Sequence, residues 1–478
     1  MLSPELIVVC AVAVVASDVG ADYGATASAQ SAYAIQHHWV KRNTPEETWM
    51  TPFEDAPFTA FHRRIAVTGA GGFLSDGYSL GIIGIALTLA KGPLGITSWW
   101  LGAVGAASLV GLFLGSLLTG GLADRFGRRP VFVWGMLFFT VVAALQFTSA
   151  SNSQLFVWRL LLGLALGADY VACGAMVAEF SPSRKRGMLL SVLSVAWTVG
   201  YISAFVVGYL LRNSGPAAWR IALITSAVPS LITFLLRLRT PESPVWLTRK
   251  GHLDKAREIV AKYIGSEIAL PVVNTVVKIK DDTLATLFKP PLYRNMIVGC
   301  LFFTAQVIPG FALGTFLPLV LQTLHVDDAF TGALIYNIVL LVAVVLGMLA
   351  CDLIPRRALL IQSFMLIAIF LAILTFWRGA PSLVTVVLFA GLAFVMAFAG
   401  ILQAVYPPEL FPTELRARGI SVVIACSRIG AAVSTFFLPV VVELFGIYVA
   451  LGAFMAVSLF AAFICKMWAP ETLGRRLV

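Results

Sequence analysis

Twelve apolar blocks, most of them at or above the ~20 residues that an α-helix needs to cross a bilayer, dominate this chain from residue 60 onward. They lie at about 64–90, 98–122, 130–150, 154–180, 187–211, 217–238, 294–323, 330–352, 357–377, 382–406, 419–442 and 445–467. Inside hydrocarbon a backbone has no water to bond, so a crossing segment is a helix or part of a closed barrel. Barrel strands read as short alternating segments. These runs are continuous, which predicts an all-α membrane protein with twelve transmembrane helices. Only 12% of the 478 residues are charged, against roughly a quarter in soluble domains, and that excludes an ordinary cytosolic enzyme.

The formal charge of +10 is a trait of nucleic-acid binders, but the basic residues sit between apolar blocks, so no nucleic-acid partner is expected. With loops assigned alternately, 28 of the 34 Lys and Arg fall on one side. The other side holds Lys91, Arg212, Arg220 and Arg378, while Arg159 and Arg428 fall inside spans. The positive-inside rule then predicts a multi-pass protein of the inner (cytoplasmic) membrane with both termini in the cytoplasm. The six cysteines, Cys10, Cys173, Cys300, Cys351, Cys426 and Cys465, form no CxxC pair, so neither a disulfide nor a metal site is expected. No cofactor is expected either. The run Gly69-Ala70-Gly71-Gly72 enters a span instead of following a strand, the wrong setting for a dinucleotide loop.

Residues 1–60 read as an N-terminal extension. Its apolar stretch 5–17 is too short to span, and no Lys or Arg precedes Lys41, so the charged start of a signal peptide is missing. The extension is expected to be poorly ordered and dispensable, with a working start near Met50. A six-helix bundle follows at 61–239, then a polar central loop at 240–293 with a surface helix near Leu253–Val260. A second bundle occupies 294–470 and a tail 471–478.

The halves repeat. Gly121–Arg129 after span two is echoed at Gly347–Arg357, Glu179–Gly187 after span four at Glu409–Gly419, and Pro241-Glu242-Ser243 after span six at Pro470-Glu471-Thr472, with offsets of 228, 232 and 229 residues. A parallel repeat of two six-helix bundles implies a central site between them and rocking of one half against the other.

With Arg159–Gly187 and Pro241–Leu247, these motifs make the chain similar, over about 60–475, to the major facilitator superfamily, in its branch of sugar porters and metabolite:proton symporters. Phe73–Tyr78 looks like the aromatic-acid and organic-acid symporters, and Gly167-Ala168-Asp169-Tyr170 is similar to the GGDY of phosphate:proton symporters. Ser194-Val195 stands where hexose porters carry Gln-Leu, and Thr304–Gly310 keeps one glutamine of their span-seven signature and lacks its asparagine. The resemblance implies two pseudo-symmetric six-helix bundles and, as the leading expectation, proton-coupled symport of a small organic anion or related metabolite by a monomer. A sugar or inorganic phosphate symporter is the alternative, and a non-transporting nutrient sensor a further one. No catalytic constellation points to an enzyme.

A charge at the bilayer centre costs at least ~2.5–3.5 kcal/mol, so each has a partner or a task. Asp76 lies midway along span one. Asp169 is ~15 Å from Glu179 at the helical rise. Both are candidates for proton coupling, against the plainer use as fixed ion pairs. Arg428, inside span eleven, suits an anion through its planar fork, with permanent pairing to Asp76 or Asp169 as the rival. By its position in the resemblance, Arg159 at the outer end of span four suits a helix-end anchor, the favoured use, or a proton-linked pair. Gln306, Trp197, Asn337, Gln403 and Tyr336 are candidates to orient substrate, although helix–helix hydrogen bonds are their commoner use. At the basic helix ends stand Asp124, Arg125, Arg129, Glu179, Arg184 and Arg186, with counterparts Asp352, Arg356, Glu409, Arg416 and Arg418. The resemblance implies that these form ion pairs gating the cytoplasmic side.

Overall fold

The computed structural model describes residues 50–271, 287–290, 292–350, 354–411 and 415–472. The expectations for residues 1–49, Asp352, the Arg416 side chain and the end of the tail fall outside the described residues. Among the described residues, twelve helices are long and apolar enough to cross a membrane, and each matches one of the twelve apolar blocks. The first half consists of α1 (Ala60–Ala90), α2 (Ser98–Phe126), α3 (Arg128–Leu145), α4 (Asn152–Phe180), α5 (Ser183–Leu211) and a sixth span made of α6 (Ala218–Ile224) and α7 (Ala227–Arg237). Two short helices, α8 (Pro244–Arg249) and α9 (Leu253–Tyr263), follow, and α9 is the surface helix expected from its periodicity. The second half holds α10 (Tyr293–Thr315), α11 (Leu317–Thr323), α12 (Ala329–Ala350), α13 (Arg356–Phe376), α14 (Ser382–Gly400), α15 (Leu402–Leu410), α16 (Arg416–Phe445) and α17 (Ile447–Trp468).

The seventh apolar block, expected as one span, is interrupted at Phe316. Pro318 sits in the first turn of α11, where a missing N–H costs nothing and a restart is favoured. Glycine sets how closely α2 and α4 pack. A Cβ on Gly163 would lie 2.8 Å from the Cα of Gly111 and 2.3 Å from the carbonyl oxygen of Ser108, so only small residues allow the crossing. That crossing holds the Asp169 turn of α4 in the interior of the first half.

The chain ahead of α1 is better ordered than its composition suggests. Phe53 and Ala56 are buried in an apolar cluster with Phe180, Leu189, Val260 and Ile264. Thr51 donates its amide to the Glu267 carbonyl and accepts from the amide of Ala269, both at 2.8 Å. Residues 50–59 therefore belong to the folded body rather than to a loose extension.

The two halves meet on the face opposite the basic one. A Cβ on Gly102 would lie 2.1 Å from the Phe436 carbonyl oxygen, and one on Gly105 2.7 Å from the Phe316 ring. Trp99 meets Phe436 edge-on with centroids 6.0 Å apart. On the same face the Thr331 and Tyr209 hydroxyls bond at 3.4 Å.

Candidate functional site

Helices α1, α4 and α7 bring three ionisable groups together inside the first half. Asp169 accepts from both terminal nitrogens of Arg237, Nη1 to Oδ1 and Nη2 to Oδ2, the latter at 3.2 Å. Both side chains are shut off from solvent. Arg237 also donates from Nε to the Thr68 carbonyl at 3.1 Å and from Nη1 to the Phe132 carbonyl at 2.9 Å. Its guanidinium lies 3.8 Å from the centroid of the Phe132 ring. Four of its five N–H groups are thus spent, which fixes the fork in place. Gly72 makes the room: a Cβ there would lie 2.0 Å from Nη2 of Arg237 and 2.3 Å from Oδ2 of Asp169.

One helical turn beyond Gly72 on α1 is Asp76, fully buried and within electrostatic reach of Asp169 and Arg237. Neither of its carboxyl oxygens has a hydrogen-bond partner among the described residues. The sequence offers pairing of Arg428 with Asp76 or Asp169 only as the rival to an anion-binding role, and it counts Arg237 among the loop charges. That rival pairing does not form among the described residues, and the count is corrected: the partner of Asp169 is the buried Arg237 at the end of α7.

Arg428 is held differently. Half-buried on α16, it lies 5.9 Å from the centroid of Tyr170 on α4 of the other half and 5.9 Å from that of Phe311 on α10. Tyr170 in turn packs against Phe73 at 4.8 Å. No carboxylate pairs with Arg428 among the described residues, and its Nε is without a partner. The seam thus carries a cation walled by aromatic faces from both halves. Trp197, half-buried, stacks on Tyr201 at 5.3 Å with its indole N–H unpartnered among the described residues.

Gln403 donates to Gln306 Oε1 at 3.1 Å, and Gln306 donates to the Met396 carbonyl at 3.3 Å. Asn337 bonds its own helix at the Ala333 carbonyl, 2.7 Å, beside buried Tyr336. Arg159 departs from expectation. Instead of anchoring a helix end it is fully buried, donating from Nη1 to the Ser79 carbonyl at 3.2 Å, with Nε and Nη2 unpartnered among the described residues. Helix α4 packs against α1, α2 and α3, so even a residue in its first turns faces protein rather than headgroups.

At the basic face each half carries the same polar assembly. In the first, Arg128 pairs with Asp124 at 2.8 Å and with Glu179 at 3.3 Å, and Ser243 donates its hydroxyl to Glu179. Glu242 accepts the backbone amides of Arg128, Arg129 and Ser243, each at 2.9–3.0 Å. It so neutralises the exposed donors at the start of α3. Burial pushes the Glu242 carboxyl above the usual carboxylate range, opposed by those amides.

In the second half Arg356 meets Glu409 at 3.7 Å, Thr472 donates to Glu409, and Glu471 accepts the amides of Arg356, Arg357 and Thr472. Arg129 is spent on the Thr240 and Leu238 carbonyls, Arg186 on that of Ser181, and Arg125 lies over Phe126. Arg184 and Arg418 are exposed. The sequence reading assigns no role to Arg128, Glu242 or Glu471. The signal for them lies in the repeat, where Arg128 and Arg356 are 228 residues apart and Glu242 and Glu471 229.

Twelve spanning helices in two like halves, with ionisable groups inside and at the seam, define a multi-pass membrane transporter of the major facilitator fold. The partially occluded inward-open structure of the xylose transporter XylE from E. coli shares that fold, with a TM-score of 0.72 at 21% identity over 88% of this chain and 100% of that one. The description "Sugar (and other) transporter" matches residues 8–478. The inner membrane metabolite transport protein YgcS of Escherichia coli (strain K12) is 38% identical over 425 residues, covering 89% of this chain and 95% of the relative. The putative metabolite transport protein YaaU of the same organism is 35% identical over 432 residues, covering 89% and 96%. The chain belongs to the sugar (and other) transporter family, whose matched members here are transporters, not enzymes.

Proposed function

We propose that this transporter is a proton-coupled symporter of a small organic anion, with the basic face and both termini in the cytoplasm of an inner membrane. The observation that carries the substrate class is Arg428, a seam cation without a carboxylate partner among the described residues, between Tyr170 and Phe311. A guanidinium so placed offers a bidentate fork to a carboxylate, and the flanking rings favour a planar or apolar body.

Asp76 is the proton carrier in this reading. A buried carboxyl with both oxygens unpartnered suits the protonated acid, because the ionised form would need a compensating bond. Asp169, which shared that assignment, becomes a fixed counter-ion of Arg237. With the halves in contact on the opposite face, this reading makes the state inward-facing. The paired groups within each half at the basic face, Asp124–Arg128–Glu179 and Arg356–Glu409, are gate components in this reading.

The Gln306–Gln403 amide pair favours a second reading, a neutral sugar hydrogen-bonded through its hydroxyls. Thermal-shift titration of purified wild type and Arg428→Ala with aromatic acids, aliphatic acids and sugars separates the two. Under the anion reading an acid stabilises the wild type and loses at least tenfold in affinity, ~1.4 kcal/mol, in the variant. Stabilisation by sugars alone, equal in both proteins, contradicts it.

A further inference from the structure

The basic face holds a cleft of about 540 Å³ between the ends of α1, α3 and α7 and the surface helix α9. Four cations line it: Arg64 from α1, Arg129 from α3, Arg239 just after α7 and Lys262 from α9. The wall also carries two acids, Glu242 and Glu258, so cations are in excess. Glu242 is committed to backbone amides, which lessens its field in the cleft. The guanidinium of Arg129 is pinned on the wall by the Thr240 carbonyl at 2.8 Å and the Leu238 carbonyl at 3.4 Å. Arg64, Arg239 and Lys262 are exposed and form no ion pair among the described residues.

The cleft adjoins the membrane-facing side of the fold. Leu238, part of its lining, continues into the exposed apolar surface of α7 and α3, where Leu235 is 56% and Trp134 59% exposed. An anion that fits such a place has a charged head and apolar tails. We propose that the cleft binds the phosphate headgroup of an anionic phospholipid, with its acyl chains lying against α3 and α7. Basic pockets between helix ends at a membrane face recognise acidic headgroups in this way. A free phosphate would satisfy the cations and leave the apolar approach unused.

Native mass spectrometry of the detergent-purified full chain, titrated with phosphatidylglycerol or phosphatidylcholine, tests the site. Phosphatidylglycerol is expected to be retained more tightly than phosphatidylcholine. The triple variant Arg64→Gln, Arg239→Gln, Lys262→Gln should lose about a hundredfold in affinity, about fivefold per charge. Glu258→Gln should bind more tightly, a gain that misfolding cannot produce. Equal retention of the two lipids, unchanged affinity in the triple variant, or displacement of phosphatidylglycerol by millimolar inorganic phosphate would each overturn the proposal.

Discussion

Gly72 decides whether the interior of the first half can be charged at all. A methyl at this position would overlap Nη2 of Arg237 and Oδ2 of Asp169, and breaking a buried pair strands a charge at a cost of about 3–5 kcal/mol. Gly72→Ala is therefore expected to lower the melting temperature sharply, and an unchanged melt would show that the pair is not held where α1 permits it. Replacing both partners is gentler, since apolar residues of similar volume often substitute for a buried ion pair without loss. The double variant Asp169→Leu, Arg237→Met should fold and keep pH-driven uptake, whereas Asp76→Asn should abolish uphill uptake and retain exchange. Loss of coupling in the double variant with coupling intact in Asp76→Asn would reassign the proton to Asp169.

At the level of elements, the tertiary caps are the most direct test of the repeat. Glu242 and Glu471 each collect three backbone amides beside a helix start, and helix caps are worth about 0.5–2 kcal/mol. Glu242→Ala and Glu471→Ala should destabilise to similar extents in a thermal melt, and a neutral effect in either half would break the equivalence. The spans themselves were readable from sequence because apolar length is a local property. What escaped was non-local. Arg237 stands two residues before Arg239 in Arg-Leu-Arg, and nothing nearby distinguishes the buried one from the exposed one. Arg159 likewise reads as an interfacial anchor until the packing of α4 behind α1 and α2 is known. Residues 50–59 looked dispensable because Phe53 finds its apolar partners in α4, α5 and α9, far along the chain.

At the scale of the whole molecule, the proposed alternating access requires the halves to part at the face where they now touch. The seam at Gly102 and Phe436 has no room for a side chain, so Gly102→Leu should shift the population toward the state open on that side. In a background lacking other reactive thiols, an impermeant maleimide should then label Leu438→Cys, a buried seam position, about tenfold faster for each 1.4 kcal/mol of shift. Unchanged labelling would mean that the halves do not part at this seam. Arg428 and Asp76 lie on different halves, so under the proposed symport each half binds one of the two solutes and releases it as the halves rearrange. The measurement closest to that claim is uptake into proteoliposomes under an imposed pH gradient, acid outside, with organic acids and neutral sugars offered side by side. The expected result is that an organic acid accumulates above its external concentration and that a protonophore abolishes the accumulation. Accumulation of sugars alone, or equilibration of an acid regardless of the gradient, would contradict proton-coupled anion symport.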